Sequence, residues 1–240
     1  MEESVVDEKA RERSQRSYLR YIFFKVSREW RMEDQEARDE AREEFLSTLN
    51  RTSGSLIMRF YSLVGTRGDT DFMIWVISRD LEAIQSLSSE LLSTKLGRYL
   101  EVPYSYLGMS KGSTYLGSHK HEGQEGAATE RIPGSTKYLF VYPFVKKREW
   151  YKIPFTERQR IMAEHFKVGH KYPKIKINTG YSFGLDDQEF VLAFEADSPA
   201  EFLDLVEELR SSDASKYTER ETPIFTCIAV DPTTMLKLIG

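Results

Sequence analysis

The sequence has 240 residues, of which 40% are hydrophobic and 30% are charged, and its formal net charge is −4. This composition is ordinary for a soluble globular protein, and the length allows one large domain or two smaller ones. The acidic balance argues against nucleic acid as the main partner, and no apolar run approaches the roughly 18 residues that span a bilayer.

A charged tail without an apolar core opens the chain, so we predict no signal peptide there. The first half then follows the order strand, helix, strand, strand, helix, strand. Apolar residues at helical spacing, such as Ala41 and Phe45, predict an amphipathic helix, and a loop with Gly65 and Gly68 predicts a hairpin. The predicted elements are a strand over Tyr18–Ser27, a helix over Glu33–Asn50, strands over Ser55–Val64 and Asp71–Ser78, a helix over Leu81–Lys95 and a strand over Tyr99–Met109.

The second half repeats this order. Tyr138, Phe140, Tyr142 and Phe144 alternate along its first predicted strand and therefore share one face. Cys227, the only cysteine, excludes an internal disulfide, and we expect a buried thiol in a cytoplasmic protein. The predicted elements are strands over Lys137–Lys146, Lys174–Phe183, Gln188–Ala196 and Thr222–Val230, a helix from a capping Thr156 to about Gly169, and a helix from a capping Ser198, with Pro199 in its first turn, to about Arg210.

Two segments recur at nearly constant spacing, which indicates an internal duplication. Tyr21-Ile22-Phe23-Phe24 resembles Tyr138-Leu139-Phe140-Val141, 117 residues later, and Asp71-Phe72 begins a strand like that of Glu189-Phe190, 118 residues later. Each half has the order of a ferredoxin-like unit. We therefore predict an α+β fold of two ferredoxin-like repeats, resembling a dimeric α+β barrel, with helices covering antiparallel sheets. The predicted divisions are a tail over residues 1–17, a first repeat over 18–109, a linker over 110–136 and a second repeat over 137–240.

Only the second repeat has a histidine on its first helix. Ile161, His165 and Val168 share the face that should pack on the sheet, and His165 corresponds to the neighbourhood of Ser47 in the first repeat. An imidazole among apolar neighbours is either a core histidine with a satisfied partner or an axial ligand. A single protein ligand with an apolar wall favours a haem-type iron, because zinc takes three or four protein ligands.

Several motifs resemble those of the chlorite dismutase-like family, which is also built as a two-fold repeat. They are the run Tyr142–Tyr151, Glu157-Arg158, Met162-Ala163-Glu164-His165, Gly184-Leu185-Asp186-Asp187 and Thr222-Pro223-Ile224-Phe225-Thr226. The resemblance covers nearly the whole chain. It implies an iron porphyrin in the second repeat with His165 as the proximal iron ligand, and a ring-shaped homo-oligomer that is usually a pentamer.

The family includes at least two activities. Chlorite dismutases have a distal arginine where this chain has Ile177, followed by Asn178, so chlorite decomposition is disfavoured. The coproheme decarboxylase branch removes two propionate carboxyls from iron coproporphyrin III with hydrogen peroxide and yields haem b. The resemblance implies that Tyr142 is the reactive tyrosine, that Lys146 and Ser215 bind propionates, and that Trp150, Ile177 and Met162 line the pocket.

Some alternatives remain open at this stage. A branch with an apolar distal residue uses a loop histidine as base, for which His119 and His121 are the candidates, although the sequence favours a solvated His-Lys-His tract in a flexible linker. Arg131 is a weak match for a propionate-binding arginine, and Asp213 is either a partner of His165 or helix-end decoration. The rivals to a decarboxylase are a non-enzymatic haem-binding or haem-transfer protein and a structural oligomer without a cofactor.

Overall fold

A computed structural model describes residues 15–52, 54, 56–112, 115 and 133–240. The chain divides into two compact units. The first contains the residues up to Met109 together with Thr226–Gly240, and the second contains Ser110–Phe225. The predicted α+β fold with antiparallel sheets and covering helices is present in each unit. The division differs from the predicted one at the C-terminal end, where Thr226–Gly240 lies with the first unit.

The first repeat, within the first unit, has a four-stranded sheet and two long helices. Its strands β1 (Tyr18–Val26), β2 (Ile57–Ser62), β3 (Phe72–Ser78) and β4 (Leu100–Met109) pair antiparallel in the order β4-β1-β3-β2. The helices are α1 (Gln35–Thr52) and α2 (Leu81–Ser93), and Asp80 caps α2 by accepting from the backbone N–H of Glu82 at 2.9 Å. All residues of β3 are buried, as expected for a central strand.

The second unit repeats this plan. Its strands are β5 (Tyr138–Lys146), β6 (Lys176–Tyr181), β7 (Phe190–Ala196) and β8 (Thr218–Arg220), and they pair antiparallel in the order β6-β7-β5-β8. Its helices are the short α3 (Glu149–Lys152), α4 (Phe155–Gly169) and α5 (Pro199–Arg210), and a 3₁₀ turn covers Asp213–Tyr217.

The C-terminal segment explains the altered division. Strand β9 (Phe225–Ala229) pairs with β2 through Tyr61 and Ala229, and helix α6 (Pro232–Leu238) follows it. Leu236 and Met235 are fully buried in the same core cluster as Phe45 of α1. The apolar side chains of α6 therefore complete the core of the first unit rather than extend the second. The sequence did not predict this helix.

Helix starts were only partly predicted. Ser198 caps α5 as expected, because its hydroxyl oxygen accepts from the backbone N–H of Glu201 at 3.2 Å. Thr156 does not cap α4, since that helix begins one residue earlier, at Phe155, after Pro154. Cys227 is a buried thiol outside any disulfide, as predicted, and burial raises its pKa. Within the described parts of the chain, no helix has both the length and the apolarity to cross a membrane.

The structure also corrects the register of the duplication at the first strand and the first long helix, whereas the predicted offset of 118 residues holds between β3 and β7, which begin at Phe72 and Phe190. Strands β1 and β5 begin 120 residues apart, as do helices α1 and α4, and the buried Ala41 and Ile161 occupy equivalent helix positions. His165 therefore corresponds to Phe45 rather than to the neighbourhood of Ser47. Similar aromatic runs led to a slip of three residues in the first strand, and an odd slip exchanges the two faces of a strand.

Candidate functional site

A cavity of about 720 Å³ lies in the second unit. Its walls come from strands β5, β6 and β7, from helices α4 and α5 and from the 3₁₀ turn that follows α5. The volume is within the range of small-molecule and cofactor sites. Every predicted site residue lines it: Tyr142, Lys146, Trp150, Met162, His165, Ile177 and Ser215.

Strand β5 contributes the reactive groups of one wall. Alternation places Tyr142, Phe144 and Lys146 at the cavity, whereas Tyr138, nearer the start of the strand, is not part of the lining. The Tyr142 ring is 6% exposed and stacks on Phe194 with 5.9 Å between ring centroids. Burial raises the pKa of Tyr142, and so does the nearby carboxylate of Glu221. The phenol of Tyr142 is therefore protonated at neutral pH.

Lys146 places a cation in this wall. It is 9% exposed, and its Nζ lies 4.2 Å from the centroid of the Trp150 ring. Within the described residues, no carboxylate forms an ion pair with this ammonium. Burial lowers the pKa of Lys146 to about 8, while the charge of Glu189 acts in the opposite direction. A buried ammonium without an acidic partner is suited to bind a carboxylate of a ligand.

His165 projects from α4 into the cavity. Its Nδ1 is buried and has no hydrogen-bond partner in the described part of the chain. Burial and, to a lesser extent, the charge of Lys146 together lower the pKa of His165 to about 4. The imidazole is thus neutral at neutral pH. A core histidine with a satisfied partner, the alternative considered from the sequence, does not describe this residue.

The remaining walls are mainly apolar. Trp150 is 1% exposed and packs on Tyr217 with 5.2 Å between centroids. Ile177 lines the cavity from β6, so the position that the sequence resemblance matches to a distal arginine has an aliphatic side chain. Met162 lines the cavity from α4, one turn before Phe166. These surfaces are suited to a flat apolar ligand.

Ser215 and Asp213 lie in the 3₁₀ turn. The Ser215 hydroxyl lies 2.7 Å from the carbonyl oxygen of Arg210, so it donates within the turn and keeps its oxygen as an acceptor. The carboxylate of Asp213 accepts from Lys216 at 2.6 Å and from Arg160 at 3.4 Å. Asp213 does not hydrogen-bond His165. It pairs with basic side chains near a helix end, which is the second alternative considered from the sequence.

Several lining residues were not predicted from the sequence. Arg210 lies at the cavity and forms an ion pair with Glu221. Arg158 and Lys111 also line it, so that with Lys146 four basic side chains lie at the cavity, together with the carboxylates of Glu219 and Glu221. In the sequence, the basic residues of α4 and α5 look like ordinary surface residues. They come together at the cavity only because both helices pack on the same sheet. His119, His121 and Arg131, the other candidates, lie outside the described residues.

The arrangement fits an iron porphyrin. The ring would lie against apolar and aromatic walls, the neutral His165 offers an unengaged ring nitrogen for the iron, and Lys146 and Arg210 offer positive charge to carboxylates. The unpartnered imidazole and the buried unpaired ammonium are the two features that a ligand of this kind would satisfy together.

The sequence model described as "Chlorite dismutase" matches residues 38–230. A coproheme decarboxylase of Mycolicibacterium smegmatis is 35% identical over 213 residues, which cover 88% of this chain and 90% of that protein.

Solved structures of chlorite dismutases have the same fold as this chain. A mutant chlorite dismutase of Candidatus Nitrospira defluvii superposes with a TM-score of 0.85 at 25% identity, over 93% of this chain and 96% of that one. The chlorite dismutase of the same organism in complex with imidazole also gives a TM-score of 0.85 at 25% identity, over 93% and 95% of the two chains.

Proposed function

Because this chain belongs to the chlorite dismutase family, we propose that it decarboxylates iron coproporphyrin III (coproheme) to haem b, with hydrogen peroxide as oxidant. The observation that carries the proposal is that His165 of α4 lies in the same cavity of the second unit as Tyr142 and Lys146 of β5. The relative at 35% identity, a coproheme decarboxylase, supports the same reaction.

The overall reaction balances with one peroxide for each propionate. Conversion of a propionate to a vinyl group releases CO₂ together with two electrons and two protons, and peroxide takes them up to form two molecules of water. Two such conversions turn coproheme into haem b. The bound iron porphyrin, which is both substrate and cofactor, supplies the redox chemistry with peroxide.

The residues of this chain supply binding and proton control. We assign His165 as the axial ligand of the iron and Lys146 and Ser215 as partners of propionates, with Trp150, Met162 and Ile177 as walls. Tyr142 holds its proton at the phenol oxygen until that proton leaves together with an electron, since burial opposes the phenolate. Arg210 adds a second cation on the same side as Tyr142, whose pKa its charge lowers.

Chlorite decomposition is the less favoured activity. It would require a cation at the distal wall to hold an anion near the iron, and Ile177 supplies none. A non-enzymatic haem carrier is the second candidate, because an aliphatic distal residue provides no acid or base at that position.

We also propose that the chain acts in the cytoplasm as a ring-shaped homo-oligomer, a pentamer in the form that the family resemblance implies. Native mass spectrometry of the purified protein tests the assembly: a mass near five times 27.9 kDa supports it, and a monomer contradicts it.

The function is tested by the mass of the porphyrin. The protein is mixed with iron coproporphyrin III, peroxide is added, and the porphyrin is followed by mass spectrometry. We expect two successive losses, each of CO₂ and two hydrogens, and no reaction when iron-free coproporphyrin III replaces the substrate. Tight binding without loss of mass would make the protein a carrier, and consumption of chlorite at a comparable rate would reverse the assignment.

A further inference from the structure

Each repeat has a buried carboxylate directly before its third strand. In the first repeat, Asp71 accepts from the backbone N–H of Val26 at 2.8 Å. In the second, Glu189 accepts from the backbone N–H of Lys146 at 2.9 Å. Both carboxylates therefore hold the C-terminal end of the repeat's first strand, and this contact occurs in both repeats.

In the first repeat, Asp71 also pairs with the ammonium of Lys25 at 3.0 Å. The second repeat has different contacts at its carboxylate. The Tyr151 hydroxyl donates to Glu189 Oε2 at 2.6 Å, and Lys146 continues from the held backbone into the cavity. At the equivalent positions of the first repeat, 120 residues earlier, stand Arg31 and Val26. Among the described residues, a phenol on the carboxylate, together with a lysine that extends from the held backbone into a cavity, thus occurs only in the second repeat.

Glu189 itself is not part of the cavity lining, and its side chain is 8% exposed. From outside the cavity it accepts hydrogen bonds from two residues that line it, Lys146 and Tyr151. The pairing of β5 with β8 shifts register between Val145 and Lys146. The hydrogen bonds between these two strands therefore do not by themselves fix the position of Lys146. The carboxylate supplies that constraint, and its charge partly offsets the cost of burying the ammonium.

We propose that Glu189 is a positioning residue that holds Lys146 and Tyr151 in the cavity wall and thereby sets the affinity for a carboxylate on the porphyrin edge. This inference rests on the proposed function, because it assigns a porphyrin carboxylate to Lys146. Glu189 does not touch the substrate, so its effect passes through the two side chains that it holds.

The duplication provides a matched control for the test. Glu189→Gln removes the charge at the site, and Asp71→Asn removes the equivalent charge in the repeat without the cavity. The probes are iron-free coproporphyrin III, which has four carboxylates, and its tetramethyl ester, which has none. Their dissociation constants are measured by quenching of tryptophan fluorescence, and the unfolding temperature of each variant is recorded.

We expect Glu189→Gln to weaken binding of the tetracarboxylate about tenfold and binding of the ester less than twofold, because only the acid uses Lys146. Asp71→Asn should lower the unfolding temperature and leave both dissociation constants unchanged. A purely structural role for Glu189 would weaken both probes alike. Equal loss for acid and ester, or an equal effect of Asp71→Asn on binding, would overturn the inference.

Tyr151→Phe gives an independent variant if Glu189→Gln does not fold. It removes one hydrogen bond to Glu189 and keeps the ring, and we expect roughly threefold weaker binding of the tetracarboxylate with the ester unchanged. Affinity equal to that of the unmodified protein would contradict the inference. Failure of the proposed function has a different result: the unmodified protein would bind coproporphyrin III but would not decarboxylate coproheme with peroxide.

Discussion

Burial has one shared effect on the three principal residues of the site: it favours their neutral forms. It raises the pKa of Tyr142, lowers that of Lys146 to about 8 and lowers that of His165 to about 4. Only Lys146 is left near its titration range at physiological pH, and Glu189 supports its charge. Such a cluster of perturbed groups in a cavity is typical of a functional site rather than of a core.

His165→Ala tests the axial assignment. We expect affinity for iron coproporphyrin III to fall about tenfold or more, with a shifted Soret band, because the iron loses its protein ligand. Affinity for iron-free coproporphyrin III should change less than twofold, since no metal is present to be ligated. Absorbance titration with both porphyrins measures this.

His170→Ala is the control for that variant. His170 follows the last residue of α4 and is exposed, outside the cavity lining, so its replacement should leave both affinities unchanged. An unchanged Soret band and iron-porphyrin affinity in His165→Ala would show that another residue ligates the iron.

At the scale of elements, periodicity and local chemistry were sufficient for most of the fold. The alternation of Tyr138, Phe140, Tyr142 and Phe144 predicted strand β5 and the face that Tyr142 shares, and Ser198 marked the start of α5 correctly. Short elements were missed. Helix α3, the 3₁₀ turn over Asp213–Tyr217 and helix α6 have too few residues to show a helical period, and tertiary packing holds them.

Helix α6 illustrates what packing decides. Leu236 is fully buried in the first unit, whereas Leu238, on the same helix, is 47% exposed. Nothing in the residue types separates the two leucines. Leu236 is on the face of α6 that packs against the core of the first unit, where Phe45 also lies, and Leu238 is not.

Leu236→Ala should therefore destabilise the protein by about 2–5 kcal/mol, because it leaves a cavity among buried side chains. Leu238→Ala, the matched control, should change the free energy of unfolding by less than about 0.5 kcal/mol. Urea denaturation measures both. Equal stability of the two variants would mean that α6 does not complete this core.

At the scale of the whole molecule, the two repeats use one scaffold in two ways. In the corrected register, Tyr142, Lys146 and His165 correspond to Ile22, Val26 and Phe45. These three apolar residues belong to the buried core cluster of the first unit. The first repeat thus has core side chains where the second has the groups of the site.

The general form of this asymmetry was visible in the sequence, since only one repeat has a histidine on its first helix. Its details were not. The sequence matched His165 to the neighbourhood of Ser47, whereas the element boundaries match it to Phe45, a buried core residue of the first repeat. The alignment of the two repeats could be fixed only once those boundaries were known. The basic residues Arg158 and Arg210 converge on the cavity through packing of α4 and α5, which no local pattern encodes.

In the proposed reaction, Tyr142 takes part in decarboxylation in the cavity of the second unit. The most direct test compares the loss of porphyrin mass with peroxide for Tyr142→Phe and Tyr138→Phe, two tyrosines on one face of β5 of which only Tyr142 lines the cavity. We predict that Tyr142→Phe slows both decarboxylations by about 10²-fold or more, while Tyr138→Phe retains them. Two losses at the unmodified rate in Tyr142→Phe would contradict the account.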